Sequence, residues 1–191
     1  SVAAGPKGPT IVDVAVYANS PEGPYPGAFD TLIAAVGAAD PAVAATLSGN
    51  GQHTVFAPTD AAFLAAGFTP ENIVDVPEDT LTQILLYHVA NGRRDAADVT
   101  TSSQIRTLQG GFIQVNGTVL DGDSNVVVPN VFAANGVIHA IDSVIDPGPA
   151  LAQYFQAGVS PRIKYDSPRF NKLFEAQAQE FDPEKRKKLI N

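Results

Sequence analysis

The chain has 191 residues, 45% of them hydrophobic, with 12 basic and 20 acidic side chains and neither cysteine nor methionine. That length holds one domain of ordinary size plus an extension, and the lack of cysteine excludes a disulfide framework, a thiolate metal centre and a cysteine nucleophile. The charge is uneven: residues 1–159 carry only Lys7, Arg93, Arg94 and Arg106 against fifteen acids, whereas residues 160–191 carry eight bases against five acids, so the acidic body lacks the basic face that nucleic-acid binding requires.

No run approaches the ~20 apolar residues of a membrane span, so a soluble piece is expected. Ser1 cannot be an initiating residue. A leading segment is therefore expected to have been removed, by signal-peptide cleavage or by trimming.

Residues 1–9, with Gly5, Pro6, Gly8 and Pro9, read as a mobile lead. Residues 10–18 are β-branched enough for a strand, yet Thr10 can cap a helix and Asp13 would sit in its first turn. Residues 19–27 contain three prolines and two glycines and read as an inserted loop, with Tyr25 as a possible contact. Phe29, Leu32, Ile33 and Val36 then mark one face of a helix, and Pro41 opens a shorter one closed by Gly49-Asn50-Gly51.

The stretch TVFAPTDAAF, 54–63, places a short apolar strand at Val55 and Phe56, a stop at Pro58, and a cap at Thr59 or Asp60 for a helix carrying Phe63 and Leu64. Residues 70–76 form a helical turn, and 78–87 a helix with Leu81, Ile84 and Leu85 on one side. From Ile105 the texture changes to short runs, 105–108, 112–115, 126–128 and 131–133, punctuated by Gly110-Gly111, Asn116-Gly117, Asp121-Gly122 and Asn135-Gly136. Last comes NGVIHAIDSVIDP, 135–147, in which Val137, His139, Ile141, Ser143 and Ile145 alternate with Ile138, Ala140, Asp142 and Val144. Both faces are mostly apolar, so this strand should be covered on both sides. Helices gather in the first half and strands in the second, which predicts an α+β fold.

Three of these blocks carry a family resemblance. TVFAPTDAAF resembles the first fasciclin (FAS1) signature, NGVIHAIDSVIDP resembles the second, and Leu85-Leu86-Tyr87-His88-Val89 resembles the tyrosine-histidine motif between them. The resemblance runs from about residue 10 to 147. It implies a wedge of strands with helices packed on it, and favours a helix at 10–18. It also implies partner contacts near the motif, at Tyr87 and His88 first and at the neighbouring Arg93 and Arg94 second. Gln52 and His53 depart from the family pattern, which has proline and an apolar residue there.

Beyond Pro147 the resemblance ends. Residues 148–191 read as a helical extension, either a docking segment or a fused piece, in which Phe170, Leu173, Phe174, Ala178 and Phe181 share one helix face. Residues 165–191 are also similar to a segment of the periplasmic peptide-binding proteins of ABC transporters, with no ligand-contacting motif to carry over.

Acid–base or metal chemistry would have to use His53, His88 or His139, and none has the spacing of a metal helix. Buried, hydrogen-bonded structural roles are expected for His88 and His139. Asp121 to Asn125 mimics the start of a calcium loop, but Val126 replaces the required glycine and Phe132 the bidentate glutamate. A tight acidic turn is the better reading. Asn116-Gly117-Thr118 is a glycosylation sequon, meaningful only after eukaryotic secretion. The reading that follows is a non-enzymatic, cofactor-free adhesion or interaction module, secreted, periplasmic or on the cell surface, whose partner is another protein or a surface or matrix component. The rivals are a structural subunit docking through Phe170, Leu173 and Phe174, and a solute-binding or enzymatic role, which would need a deep pocket that no sequence feature demands.

Overall fold

The computed structural model describes residues 6–145. Phe170, Leu173, Phe174 and the rest of the basic stretch lie outside the described residues. Helix α1 (Ile11–Asn19) opens on Thr10, whose hydroxyl accepts from the Asp13 N–H while the Asp13 carboxylate accepts from the Thr10 N–H. This reciprocal cap explains why a β-branched stretch winds as a helix. Helix α2 (Asp30–Ala38) follows, then α3 (Pro41–Ser48), capped by the Asp40 carboxylate with proline at its first position.

Strand β1 (His53–Pro58) runs into α4 (Asp60–Ala65), capped by the Thr59 hydroxyl as expected. After a 3-10 turn at Ile73–Asp75 comes α5 (Glu78–Tyr87), with Leu81, Ile84 and Leu85 buried. The later elements are β2 (Val89–Asn91), α6 (Ala96–Thr101), β3 (Gln104–Arg106), β4 (Phe112–Asn116), β5 (Val119–Leu120), β6 (Ser124–Ala133) and β7 (Gly136–Ile141). The sequence does not announce β2, α6 or β5. Two of its runs, 126–128 and 131–133, are one strand with register shifts, and Asn130 takes a left-handed φ of 60° at the break.

The seven strands lie in the order β2-β1-β7-β6-β5-β4-β3, with β1 and β7 parallel and the other pairs antiparallel. The ends of this sheet meet: Ala90 bridges Thr107, and the Leu108 N–H donates to the Val89 carbonyl at 2.7 Å. Curled in this way, the sheet encloses Phe56, Val99, Ile105, Ile113, Leu120 and Ile141. Each such side chain contributes roughly 2 kcal/mol by leaving water. Every residue of β7 is buried, as its two apolar faces require, although the strand stops at Ile141 rather than continuing to Ile145.

Asn135 is wholly buried and joins three elements. Its Oδ1 accepts from the first N–H of α1 at Ile11, 2.8 Å, and its Nδ2 donates to the Leu47 and Gly49 carbonyls at the end of α3, both 2.8 Å. These are helix-terminal groups with no partner inside their helices. Gly136 beside it must lack a side chain, because a Cβ there would lie 2.1 Å from the His53 carbonyl oxygen. The loop between α1 and α2 is likewise stitched down: Asn19 accepts from the Phe29 N–H at 2.7 Å, and Tyr25 packs edge-on against Phe29. Among the described residues no single helix is long and apolar enough to cross a membrane.

Candidate functional site

The turn from Gly92 to Asp95 carries both arginines of the basic spot, and Gln52 together with the four elements β1, α6, β6 and β7 holds it. The Gly92 N–H donates to Gln52 O at 2.8 Å. The Thr54 hydroxyl, on β1, donates to Gly92 O at 2.7 Å and accepts from the Arg94 N–H at 2.9 Å. Asp95 caps α6 by accepting from the Asp98 N–H, and Asn130 of β6 accepts from the Ala96 N–H at 2.8 Å.

The fifth anchor is His139 of β7. The Asn130 N–H donates to its Nδ1 at 3.3 Å, so the ring proton sits on Nε2, which donates to Arg94 O at 2.9 Å. The ring stacks on Phe56 with centroids 5.8 Å apart. Burial lowers its pKa; the Arg94 carbonyl and the Asp95 carboxylate pull the other way.

On this fixed turn Arg93 lays its guanidinium over Phe132, 4.7 Å from the ring centroid. Both residues are exposed, Phe132 by 52%, and Val127 on the same strand is also exposed. A cation on an exposed aromatic is worth roughly 0.5–1 kcal/mol, enough to bias the pair toward this arrangement. Arg94 is half-buried, and its Nε has no hydrogen-bond partner among the described residues.

Tyr87 and His88 are buried, 6% and 2% exposed. The Tyr87 hydroxyl lies 2.9 Å from Asp121 Oδ2 and 3.0 Å from the Phe112 carbonyl, while Asp121 Oδ1 accepts from the Gln114 N–H at 2.7 Å. The acidic turn at Asp121 is thereby spent on internal bonds, in line with the reading against a calcium loop. The Ile145 N–H donates to His88 Nε2 at 3.1 Å, so Nδ1 carries the proton and donates to Ile84 O at 2.8 Å. Burial pushes the His88 pKa down to about 4. Because β2 runs from His88 directly to the basic turn, the motif fixes the root of the strand that carries Arg93.

The sequence thus marks the two arginines correctly as neighbours of the motif. It does not reveal Phe132, Thr54, Asn130 or His139 as their platform. Those residues come from β1, β6 and β7, up to 45 positions away from Arg94 in sequence, and only the alternation of β7 hinted that His139 points with Val137 and Ile141. His53 is buried, with its pKa lowered by burial and its Nδ1 lacking a hydrogen-bond partner among the described residues. No group of three or more His, Cys, Asp or Glu side chains suited to a metal ion occurs among the described residues.

A fasciclin domain family model matches residues 27–147. The protein sll1483 of Synechocystis sp. is 41% identical over 143 residues, covering 72% of this chain and 73% of its own length. The immunogenic protein MPB70 of Mycobacterium bovis is 39% identical over 158 residues, covering 76% and 77%. Among solved structures, a FAS1 domain pair from the insect cell adhesion molecule fasciclin I superposes with a TM-score of 0.50 at 19% identity, over 62% of this chain and 45% of that one. That likeness shows a shared fold, and the α+β architecture agrees with it. With the signatures at β1 and β7 forming its parallel pair, the chain belongs to the fasciclin domain family.

Proposed function

We propose that the chain is a non-enzymatic, extracytoplasmic adhesion or protein-interaction module whose contact surface is Arg93 over Phe132, flanked by Arg94. Tyr87 and His88 serve that surface from inside, as positioning residues. The observation that carries this reading is the convergence of five anchors on one exposed turn of an otherwise acidic body. A turn fixed in advance spares a partner the cost of ordering it on binding. Arginine and an aromatic ring are also the pairing most often found at the energetic centre of interfaces.

A non-enzymatic role is supported by His88 and His139, whose ring nitrogens are all committed to backbone groups. The cell adhesion molecule with the same fold supports the type of function. A protein, cell-surface or matrix component bearing carboxylates fits the two arginines. A second reading, a structural subunit docking through Phe170, Leu173 and Phe174, rests on the charge contrast between the acidic body and the basic C-terminal stretch. Attachment of cells to surfaces coated with the wild-type chain or with Arg93→Ala tests the first reading.

A further inference from the structure

The chain holds four Asn-Gly pairs, Asn50-Gly51, Asn91-Gly92, Asn116-Gly117 and Asn135-Gly136. In such a pair no glycine side chain shields the backbone nitrogen, which can attack the carbonyl carbon of the asparagine side chain. The attack needs a side chain free to swing toward its own backbone and an N–H free to give up its proton. The fold withholds one or the other at three of the four. Asn135 is wholly buried and bonded at both ends of its amide, Oδ1 to the Ile11 N–H and Nδ2 to the Leu47 and Gly49 carbonyls. Gly92 donates its N–H to the Gln52 carbonyl at 2.8 Å and is held again at its own carbonyl by Thr54. Asn50 is engaged by other groups of the chain, and Gly51 abuts His53, whose Nε2 would lie 2.7 Å from a Cβ there.

The remaining pair sits differently. Asn116 ends β4 at the tip of the β4–β5 hairpin, paired with Val119, and it is exposed together with Gly117 and Thr118. Gly117, the first of the two turn residues, takes a left-handed φ of 63°, and the space where a Cβ would stand is open to 4 Å. Among the described residues no hydrogen bond engages the Asn116 side chain or the Gly117 N–H. Both requirements are met at this pair.

From this contrast we propose that Asn116-Gly117 is a self-modifying site, converted in the folded protein to aspartate and isoaspartate. The Gly117 nitrogen forms a bond to Asn116 Cγ, and the side-chain nitrogen leaves as ammonia with the Gly117 proton. The succinimide so formed takes up water and opens at either of its carbonyls. Water is the sole co-reactant, and nothing is oxidised or reduced. Both products place a new negative charge on the hairpin tip, and isoaspartate also inserts a methylene into the backbone at the Asn116–Val119 rung. Either product removes the Asn116-Gly117-Thr118 sequon, so this conversion and a glycan exclude each other at one nitrogen. The site is separate from the Arg93 surface and stands independently of the adhesion reading.

Incubation of the full chain in mildly alkaline buffer, with and without denaturing urea, tests it. Conversion is located by peptide mapping with tandem mass spectrometry, and isoaspartate is counted by methyl transfer from an isoaspartate methyltransferase. In native buffer conversion at 116 should outpace that at 50, 91 and 135 by about tenfold or more. In urea the four rates should converge to within about threefold, because the protection at the other three pairs is lost. Asn116→Gln, whose longer side chain cannot close the succinimide, should abolish the native signal. Its circular dichroism and urea midpoint should match wild type, since the Asn116 side chain holds nothing in place. Absence of conversion at 116 in native buffer, equal conversion at another of the four pairs, or a ranking that urea leaves unchanged would overturn the proposal.

Discussion

The Nε2 of His139 donates to the carbonyl oxygen of Arg94 at 2.9 Å, so an interior strand of the sheet helps to set where the basic turn lies. The same ring accepts from Asn130, whose side chain in turn holds the start of α6. One buried imidazole thus links β7, the break in β6 and the turn that carries Arg93. His139→Phe keeps the stack on Phe56 but strands the Arg94 carbonyl and the Asn130 N–H. A loss of about 2–3 kcal/mol in urea denaturation is expected. A change below about 0.5 kcal/mol would show that the ring is packing alone.

Acid should weaken the fold before any carboxylate in the core is called upon. His88 titrates at about 4 when folded, against an ordinary 6.5. A depressed histidine means that the unfolded chain takes up the proton first. Stability is therefore complete above about pH 6.5, falls between 6.5 and 4, and stops falling on this account below 4. The difference corresponds to about 3 kcal/mol. Burial lowers the pKa of His53 and His139 as well, which adds slope of the same sign. Urea midpoints measured at about pH 7.5, 5.5 and 4.5 check this; a flat profile would contradict it.

Tyr87→Phe separates a positioning role from a contact role. The ring stays in the core while the bonds to Asp121 and the Phe112 carbonyl are lost. Stability should fall by about 1–2 kcal/mol in a thermal melt. Cell attachment per folded molecule should fall by less than for Arg93→Ala, because the hydroxyl reaches the surface only through the root of β2, and a loss as large as that of Arg93→Ala would return Tyr87 to the contact surface.

Much of the fold is legible because local chemistry and tertiary structure agree at the signatures. Thr59 caps where Pro58 stops a strand, and β7 is apolar on both faces because helices cover one and the curled sheet the other. Agreement fails where pairing is decided elsewhere. Strand β2 has three residues and exists because β1 offers it an edge, and α6 is six residues with two threonines, too short for a period to show. Asn135 reads as half of an ordinary Asn-Gly turn, and nothing nearby says that α1 and α3 will bring their unpaired ends to it. Burial, likewise, is invisible in a short motif: Tyr87 and His88 look suited to an interface until the ends of the sheet close over them.

Ile145, 1% exposed, sets the minimum length of the folded body through its N–H bond to His88. A chain ending at Pro147 should unfold cooperatively in a thermal melt. One ending at Ser143 gives up the Ile145 side chain and leaves His88 Nε2 unpaired, and should lose about 3–5 kcal/mol. Loss of cooperative unfolding in the Pro147 version would place part of 148–191 in the core.

The central claim is that Arg93 on Phe132 is the contact surface. Its most direct test is attachment of the source organism's cells to surfaces coated, at equal density of folded protein, with wild type, Arg93→Ala, Phe132→Ser and the Arg106→Ala control. Attachment should fall by about tenfold for Arg93→Ala and Phe132→Ser and stay unchanged for Arg106→Ala. Undiminished attachment in the first two variants, with their circular dichroism and urea midpoints intact, would contradict the account.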